Sequence, residues 1–279
     1  HSYTGVTRLI RTREGSVEPV NISGFADDDA DVTDIVKPAE QFNRFTFPRG
    51  PRVGIALHSL LENLDFSSGE KARHEACGRC IKQIGISNDQ DKWLPVLSVW
   101  LDDILSTPIT QDESLRLTDI SGKDRLNELE FHFPLNADVT FLAALQENGY
   151  VQSARSLSTP GLQGMMTGLI DLIIRHQDRY YLIDYKSNYL GDQAESYAAK
   201  ELEQAVTHHQ YDLQYLIYCV ALNRFLCSRL PEYEYAKHFG GVQYLFLRGM
   251  NGKTQAGIFF DKPDEQLLRM FDKALGGTD

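Results

Sequence analysis

The alternation of apolar and polar positions is sharpest from Gly164 to Lys186, GMMTGLIDLIIRHQDRYYLIDYK. Two apolar runs, Leu169 to Ile174 and Tyr180 to Tyr185, flank the polar break His176-Gln177-Asp178-Arg179. β-Branched and aromatic residues dominate both runs, which predicts an antiparallel hairpin. Asp171 interrupts the first run, Asp184 interrupts the second, and Lys186 follows two residues later. Side chains alternate across a strand, so Asp184 and Lys186 share one face, and an in-register hairpin brings Asp171 to the same end of it.

Elsewhere the period lengthens to that of helices. Residues 51–66 carry the apolar stripe Ile55, Ala56, Leu57, Leu60, Leu61 and Leu64, with His58 and Glu62 four apart beside it. Further helices are predicted over 70–84 and 89–106, the second capped by Ser87 or Asn88 and carrying Pro95 as a kink or in its first turns. Leu126 to Phe133 alternates as a strand, with Leu129, Phe131 and Phe133 on one face and Glu128, Glu130 and His132 on the other. A helix over 138–147 closes at Gly149. A polar helix spans 195–208, and a longer, more apolar one spans 211–230 and ends at Pro231, projecting Gln214 and Tyr218 together. Strands at 241–248 and 257–260 and a helix at 263–275 complete the chain. This order implies an α/β class with a central mixed sheet flanked by helices.

Composition sets the bounds. At 279 residues, 42% hydrophobic and 24% charged, the chain can bury a sizeable core. It has no apolar run of about eighteen residues, so no membrane span is expected, and its N-terminus lacks the basic-then-apolar order of a signal peptide. It begins at His1, and is expected to be a fragment or to carry a tag remnant. Four cysteines, Cys77, Cys80, Cys219 and Cys227, do not suggest a disulfide framework and fit a reducing, cytoplasmic setting. The acidic run ADDDADVTD, Ala26 to Asp34, reads as solvated linker. A tether over about 24–48 ends at Pro48, Gly50 and Pro51, dividing the chain into 1–48 and a globular part, 49–279. The net charge of −11 argues against a free-standing, non-specific nucleic-acid binder. An enzyme that holds DNA through a metal, a local groove or a partner subunit escapes that argument.

The hairpin carries the chemistry. Two carboxylates and an ammonium converging in an apolar setting are costly unless something compensates. A divalent cation would neutralise the acids; oxygen ligands favour magnesium or manganese, and phosphate is the usual anion beside them. An Asp-x12-Asp-x-Lys pattern taken alone is short, and an ordinary hairpin with two acids and a lysine can produce it.

LHSLLENLDF, NELEFHFPL, GLIDLIIRH, YYLIDYKSNYLG, HQYDLQYLIY and FGGVQYLFLRG follow one another in that order. From about residue 51 to the end, the chain resembles the C-terminal nuclease domain of the RecB family, the β subunits of bacterial exonuclease V (RecBCD), within the PD-(D/E)XK nuclease superfamily. SYTGV at the start is similar to that family's stretch entering the linker from its helicase part. No GxxxxGK[ST] loop occurs, so no ATP-driven activity is expected here.

The resemblance implies a restriction-endonuclease-like PD-(D/E)XK core and a magnesium-dependent deoxyribonuclease of the exodeoxyribonuclease V type. Such an enzyme cuts single strands produced by the helicase during double-strand break repair and recombination. It implies that His58, Asp171, Asp184 and the backbone carbonyl of Tyr185 ligate Mg2+, with Mn2+ or Ca2+ able to take the same site. It gives Lys186 the role of positioning or activating the attacking water and steadying the phosphate, and puts Gln214 and Tyr218 in a QxxxY motif near the scissile strand. It assigns the acid on the preceding strand to Glu128; periodicity alone leaves Glu128 and Glu130 open. The implied partners are DNA, chiefly single-stranded, the RecC and RecD subunits, and the recombinase RecA. The implied location is the bacterial cytoplasm at the nucleoid. The alternative is a catalytically silent nuclease fold that docks RecC or RecA.

Related nucleases hold an iron–sulfur cluster with one cysteine before the core and three after it. Here Cys77 and Cys80 precede the core and Cys219 and Cys227 sit eight apart in one helix, so packed or surface thiols are expected. His74, His176, His208, His209 and His238 show no zinc spacing. The aromatic strand Val242 to Leu247 reads as core rather than as a base-stacking platform.

Overall fold

The computed structural model of the chain describes residues 20–21, 41–137, 147–150 and 162–277. Among these residues the sheet has six strands: β1 (Val20–Asn21), β2 (Arg125–Ala137), β3 (Leu162–His176), β4 (Arg179–Lys186), β5 (Phe239–Phe246) and β6 (Ile258–Asp261). The order is β1-β3-β4-β5-β6, with β2 also paired to β3. The pairs β2–β3, β3–β4 and β5–β6 are antiparallel, while β1–β3 and β4–β5 are parallel, so the sheet is mixed as expected.

Helices cover both faces. On one side lie α1 (Pro51–Asn63), α2 (Glu70–Ile84) and α3 (Gln90–Ser106). On the other lie α4 (Ala199–His208), α5 (Tyr211–Arg229), the short α6 (Tyr235–His238) and α7 (Glu265–Ala274). Alternation sorts the two cores. Tyr181, Ile183 and Tyr185 of β4 pack with α1–α3, whereas Leu182 packs with α4, α5 and α7. Being covered on both faces explains why β4 and β5 read as near-continuous apolar runs. The same holds for α5, where every residue from Tyr211 to Leu222 is buried. β5 leaves its ladder with β4 for one residue at Gly240, where the Tyr181 ring lies so close that no Cβ would fit. Val242 to Leu247 is core.

Several boundaries move. The described body reaches back at least to Phe42, so the last seven residues of the expected linker belong to it. The Phe42 ring lies 4.7 Å from Trp93, and Phe47 lies 5.3 Å from Trp93 and 5.5 Å from Trp100. The fully buried Arg248 locks this entry segment, donating to the carbonyls of Arg44 (2.7 Å), Phe47 (3.1 Å) and Pro48 (2.9 Å), and to Ser187 O (3.2 Å). Ile55, read into the apolar stripe, is instead 66% exposed: it stands three residues from Arg52 and His58, on the face turned away from the core. Asp89, not Ser87 or Asn88, sits at the head of α3, in a left-handed conformation (φ 57°) and with its carboxylate on Lys92 rather than on the helix end. Pro95 lies inside α3 on its exposed side. The helix expected over 195–208 opens as a 3-10 turn, Ala194–Tyr197, before α4 begins. The helix predicted over 138–147 lies outside the described residues except for its last position; Gly149 has φ 88°, a conformation that ends helices. Among the described residues no helix is long and apolar enough to cross a membrane.

Cys77, Cys80 and Cys219 are buried and Cys227 is exposed. Burial pushes the Cys77 thiol up to about 11 and the Cys80 thiol up to about 12, and raises Cys219 as well. A chromogenic disulfide reagent should therefore titrate one thiol quickly and the other three only in denaturant. Rapid labelling of the folded Cys227→Ser variant would contradict this packing.

Candidate active site

β3 and β4 pair from His176↔Arg179 to Leu172↔Ile183 and then part. Asp171 and Asp184 are the next residues on the two strands, so both acids stand at this fork. Asp171 Oδ2 accepts the Tyr185 N–H at 2.9 Å, replacing with a side chain the bond a continued ladder would make. His58, on α1, brings Nδ1 to 3.5 Å from the same oxygen and sets its ring edge-on to Tyr185 at 5.8 Å. Burial works to raise the Asp171 carboxyl, but the His58 ring, the Tyr185 amide and Lys186 outweigh it and hold the group below its usual range.

On the far edge of β3, the pairs Asn127↔Leu172 and Leu129↔Ile170 bracket Glu128, which stands opposite Asp171. Glu128 has φ 51°, a left-handed conformation that is uncommon for a residue with a side chain. It switches the face that β2 presents. Asn127 donates to the Glu62 carbonyl on α1, while Leu129, two residues on, packs into the core under α5. Leu172 and Ile170 divide between the two cores in the same way. Burial, with Glu62 and Asp171 nearby, raises the Glu128 carboxyl. Glu130 instead lies 3.3 Å from His132. The geometry thus brings Glu128, and not Glu130, to Asp171 and His58.

Lys186 is only 3% exposed. Its Nζ lies 2.7 Å from Asp184 Oδ2, forming a buried ion pair. The ammonium donates to Gln214 Oε1 at 3.0 Å and sits 4.0 Å from the Tyr211 ring centre and 4.7 Å from that of Tyr244. Tyr244 donates its hydroxyl to the same Gln214 oxygen at 2.6 Å, and the Gln214 amide donates to Tyr218 at 3.2 Å. Sequence reading missed Tyr211 and Tyr244. Tyr211 stands one helical turn before Gln214, a signal available in the sequence; Tyr244 stands beside Asp184 only through the β4–β5 register. Burial pushes the Asp184 carboxyl up to about 7, with the Lys186 charge opposing the shift and Asp171 adding to it.

The arrangement falls into two halves. Asp171 faces His58, Asp184 faces Lys186, and among the described residues no three His, Cys, Asp or Glu side chains stand close enough to hold a metal ion together. The donors nonetheless suit a hard divalent cation: two carboxylates at one strand fork, with the His58 imidazole beside Asp171. What the site offers chemically is a buried fixed cation beside carboxylates that can bind another, a combination that complements a phosphodiester.

The sequence profile of the PD-(D/E)XK nuclease superfamily matches residues 35–274. The RecBCD enzyme subunit RecB of Haemophilus influenzae is 39% identical over 236 residues, covering 82% of this chain and 19% of that protein. RecB of Escherichia coli is 36% identical over 239 residues, covering 83% and 20%. RecB of Mycolicibacterium smegmatis is 30% identical over 321 residues, covering 98% and 28%. The chain spans about a fifth of the length of the first two relatives. Nucleases of this superfamily generally use divalent metal ions. With the profile running across both cores and the strand fork between them, the chain belongs to the PD-(D/E)XK nuclease superfamily.

Proposed function

We propose that the chain is the nuclease domain of a RecB-type subunit, a magnesium-dependent deoxyribonuclease that hydrolyses single strands delivered by a helicase complex with RecC and RecD. Hand-over of the processed strand to RecA belongs to the same reading. The observation that carries it is the fork of β3 and β4, where Asp171 and Asp184 stand beside a buried, fully held Lys186.

Asp171, Asp184, His58 and the Tyr185 carbonyl are the groups that would hold magnesium. When bound, the ion lowers the pKa of water and draws charge from a non-bridging phosphate oxygen. Water oxygen bonds to phosphorus and gives up a proton to solvent, the bond to the leaving oxygen breaks, and that oxygen takes a proton from solvent. Lys186 brings a second positive charge to the oxygens on which negative charge grows. Gln214 and the Tyr211 and Tyr244 rings fix the ammonium in advance, so little reorganisation is required at the moment of reaction. Tyr218 holds the Gln214 amide, and Glu128 adds an acid on the side of Asp171.

The test is cleavage of a single-stranded oligonucleotide in magnesium by the chain and by its Asp184→Asn variant. The variant should keep its circular dichroism spectrum and lose cleavage. Full activity would overturn the assignment. Acidity should act through the same group. Because burial raises the Asp184 carboxyl toward about 7, and a proton competes with the cation for it, kcat/KM at limiting magnesium should fall as pH drops below about 7, and added magnesium should offset the fall. A flat profile from about pH 5 to 8 would remove Asp184 ionisation from the account.

A further inference from the structure

The loop that follows Lys186 is held on either side of one residue. Ser187 gives its carbonyl to Arg248 at 3.2 Å, and the buried Asn188 amide donates to the Tyr211 hydroxyl at 3.0 Å. Beyond, the Leu190 N–H donates to the Tyr197 hydroxyl at 3.1 Å. Tyr189, between these anchors, is only half-buried, and the Arg49 guanidinium lies 4.0 Å from its ring centre. Arg49 is half-buried too and directly precedes Gly50 and Pro51, where the helix carrying His58 begins. Tyr189 is three residues from Lys186, a reach of at most about 10 Å. Half-buried Tyr189, its ring against the Arg49 guanidinium, is thus held between anchored neighbours within about 10 Å of Lys186 along the chain.

We infer that Tyr189, with Arg49 behind it, is a stacking platform for a base of the single strand being cut, which makes it a specificity-determining residue for DNA that carries bases and lacks a paired strand. This deepens the nuclease reading and rests on it. Every base has a π face, so the platform tolerates any sequence. Arg49 keeps a positive edge for the adjoining phosphate, which an otherwise acidic chain needs locally.

The probes are a thymidine oligonucleotide and the same oligonucleotide with a central run of abasic spacers. The chain should bind and cut the first more tightly, and Tyr189→Ala should raise KM for it roughly tenfold, with kcat kept and the abasic oligonucleotide unaffected. Tyr189→Phe should restore the preference, because the ring and not the hydroxyl is used. Fluorescence anisotropy in EDTA carries the same comparison without cleavage, so an inactive chain would count against the nuclease reading while binding still decides this one. A wild-type chain indifferent to the missing bases, or a Tyr189→Ala variant that keeps the wild-type preference, overturns the platform. A lowered melting temperature with an unchanged preference would make Tyr189 a packing residue only, and overturns it as well.

Discussion

Lys186→Gln should lower kcat for single-stranded DNA by at least about 100-fold while leaving KM nearly unchanged. Gln keeps a polar group at this position, but it carries no charge to oppose the charge that builds on phosphate. The substitution also strips Asp184 of its cation, and removing one partner of a buried ion pair costs about 3–5 kcal/mol when the other must stay charged. Asp184 has an escape, since burial already pushes it up to about 7. Without Lys186 to oppose that shift the carboxyl rises further, so it is neutral in mild acid and charged only in alkali. The sign follows. The variant's loss of thermal stability should be small near pH 6 and larger near pH 8, because only the ionised acid is penalised. Melting curves at the two pH values, beside single-turnover cleavage, check both halves. A variant that keeps its rate, or whose deficit is larger in acid, would contradict the roles given to this pair.

The largest stability effect is expected away from the reacting groups. Arg248→Met should destabilise the chain by about 3–5 kcal/mol, a fall in melting temperature on the order of 10 °C. Arg248 is fully buried, and its guanidinium donates to four carbonyls, those of Arg44, Phe47, Pro48 and Ser187. Methionine fills the volume and satisfies none of them. Ser187 directly follows Lys186, so the variant should also cut more slowly than its remaining folded fraction predicts. Thermal unfolding followed by circular dichroism reads the first effect; a shift within about 2 °C would show that water replaces the guanidinium without loss.

These two residues mark where sequence reading succeeds and where it stops. Asp184 and Lys186 are legible because a strand alternates with period two, and packing alone rarely puts a charged pair on one face of an apolar run. His58, Gln214 and Tyr218 lie on helices at regular spacing, and the roles proposed for them come from the family resemblance. Arg248 carries no such signal. Three of its four carbonyl partners lie some two hundred residues earlier, and a lone arginine at the end of a strand reads as surface. Glu128 and Glu130 share a parity, and the residue that separates them is Glu128 itself, through a left-handed backbone that no local propensity favours for glutamate. Ile55 is misread because the stripe is drawn one residue too wide on a helix whose outward face carries His58. Tyr244 reaches Lys186 through a parallel pairing between strands more than fifty residues apart, which periodicity does not encode.

The central claim is that the acids at the β3–β4 fork hold a divalent cation beside the Lys186 ammonium. Isothermal titration of Mn2+ into the chain near pH 8 tests it most directly, with the Asp171→Asn and Lys186→Gln variants alongside. One site should fill in the parent chain, survive in Lys186→Gln, and disappear in Asp171→Asn. Undiminished binding in Asp171→Asn, or none in the folded parent chain, would contradict it.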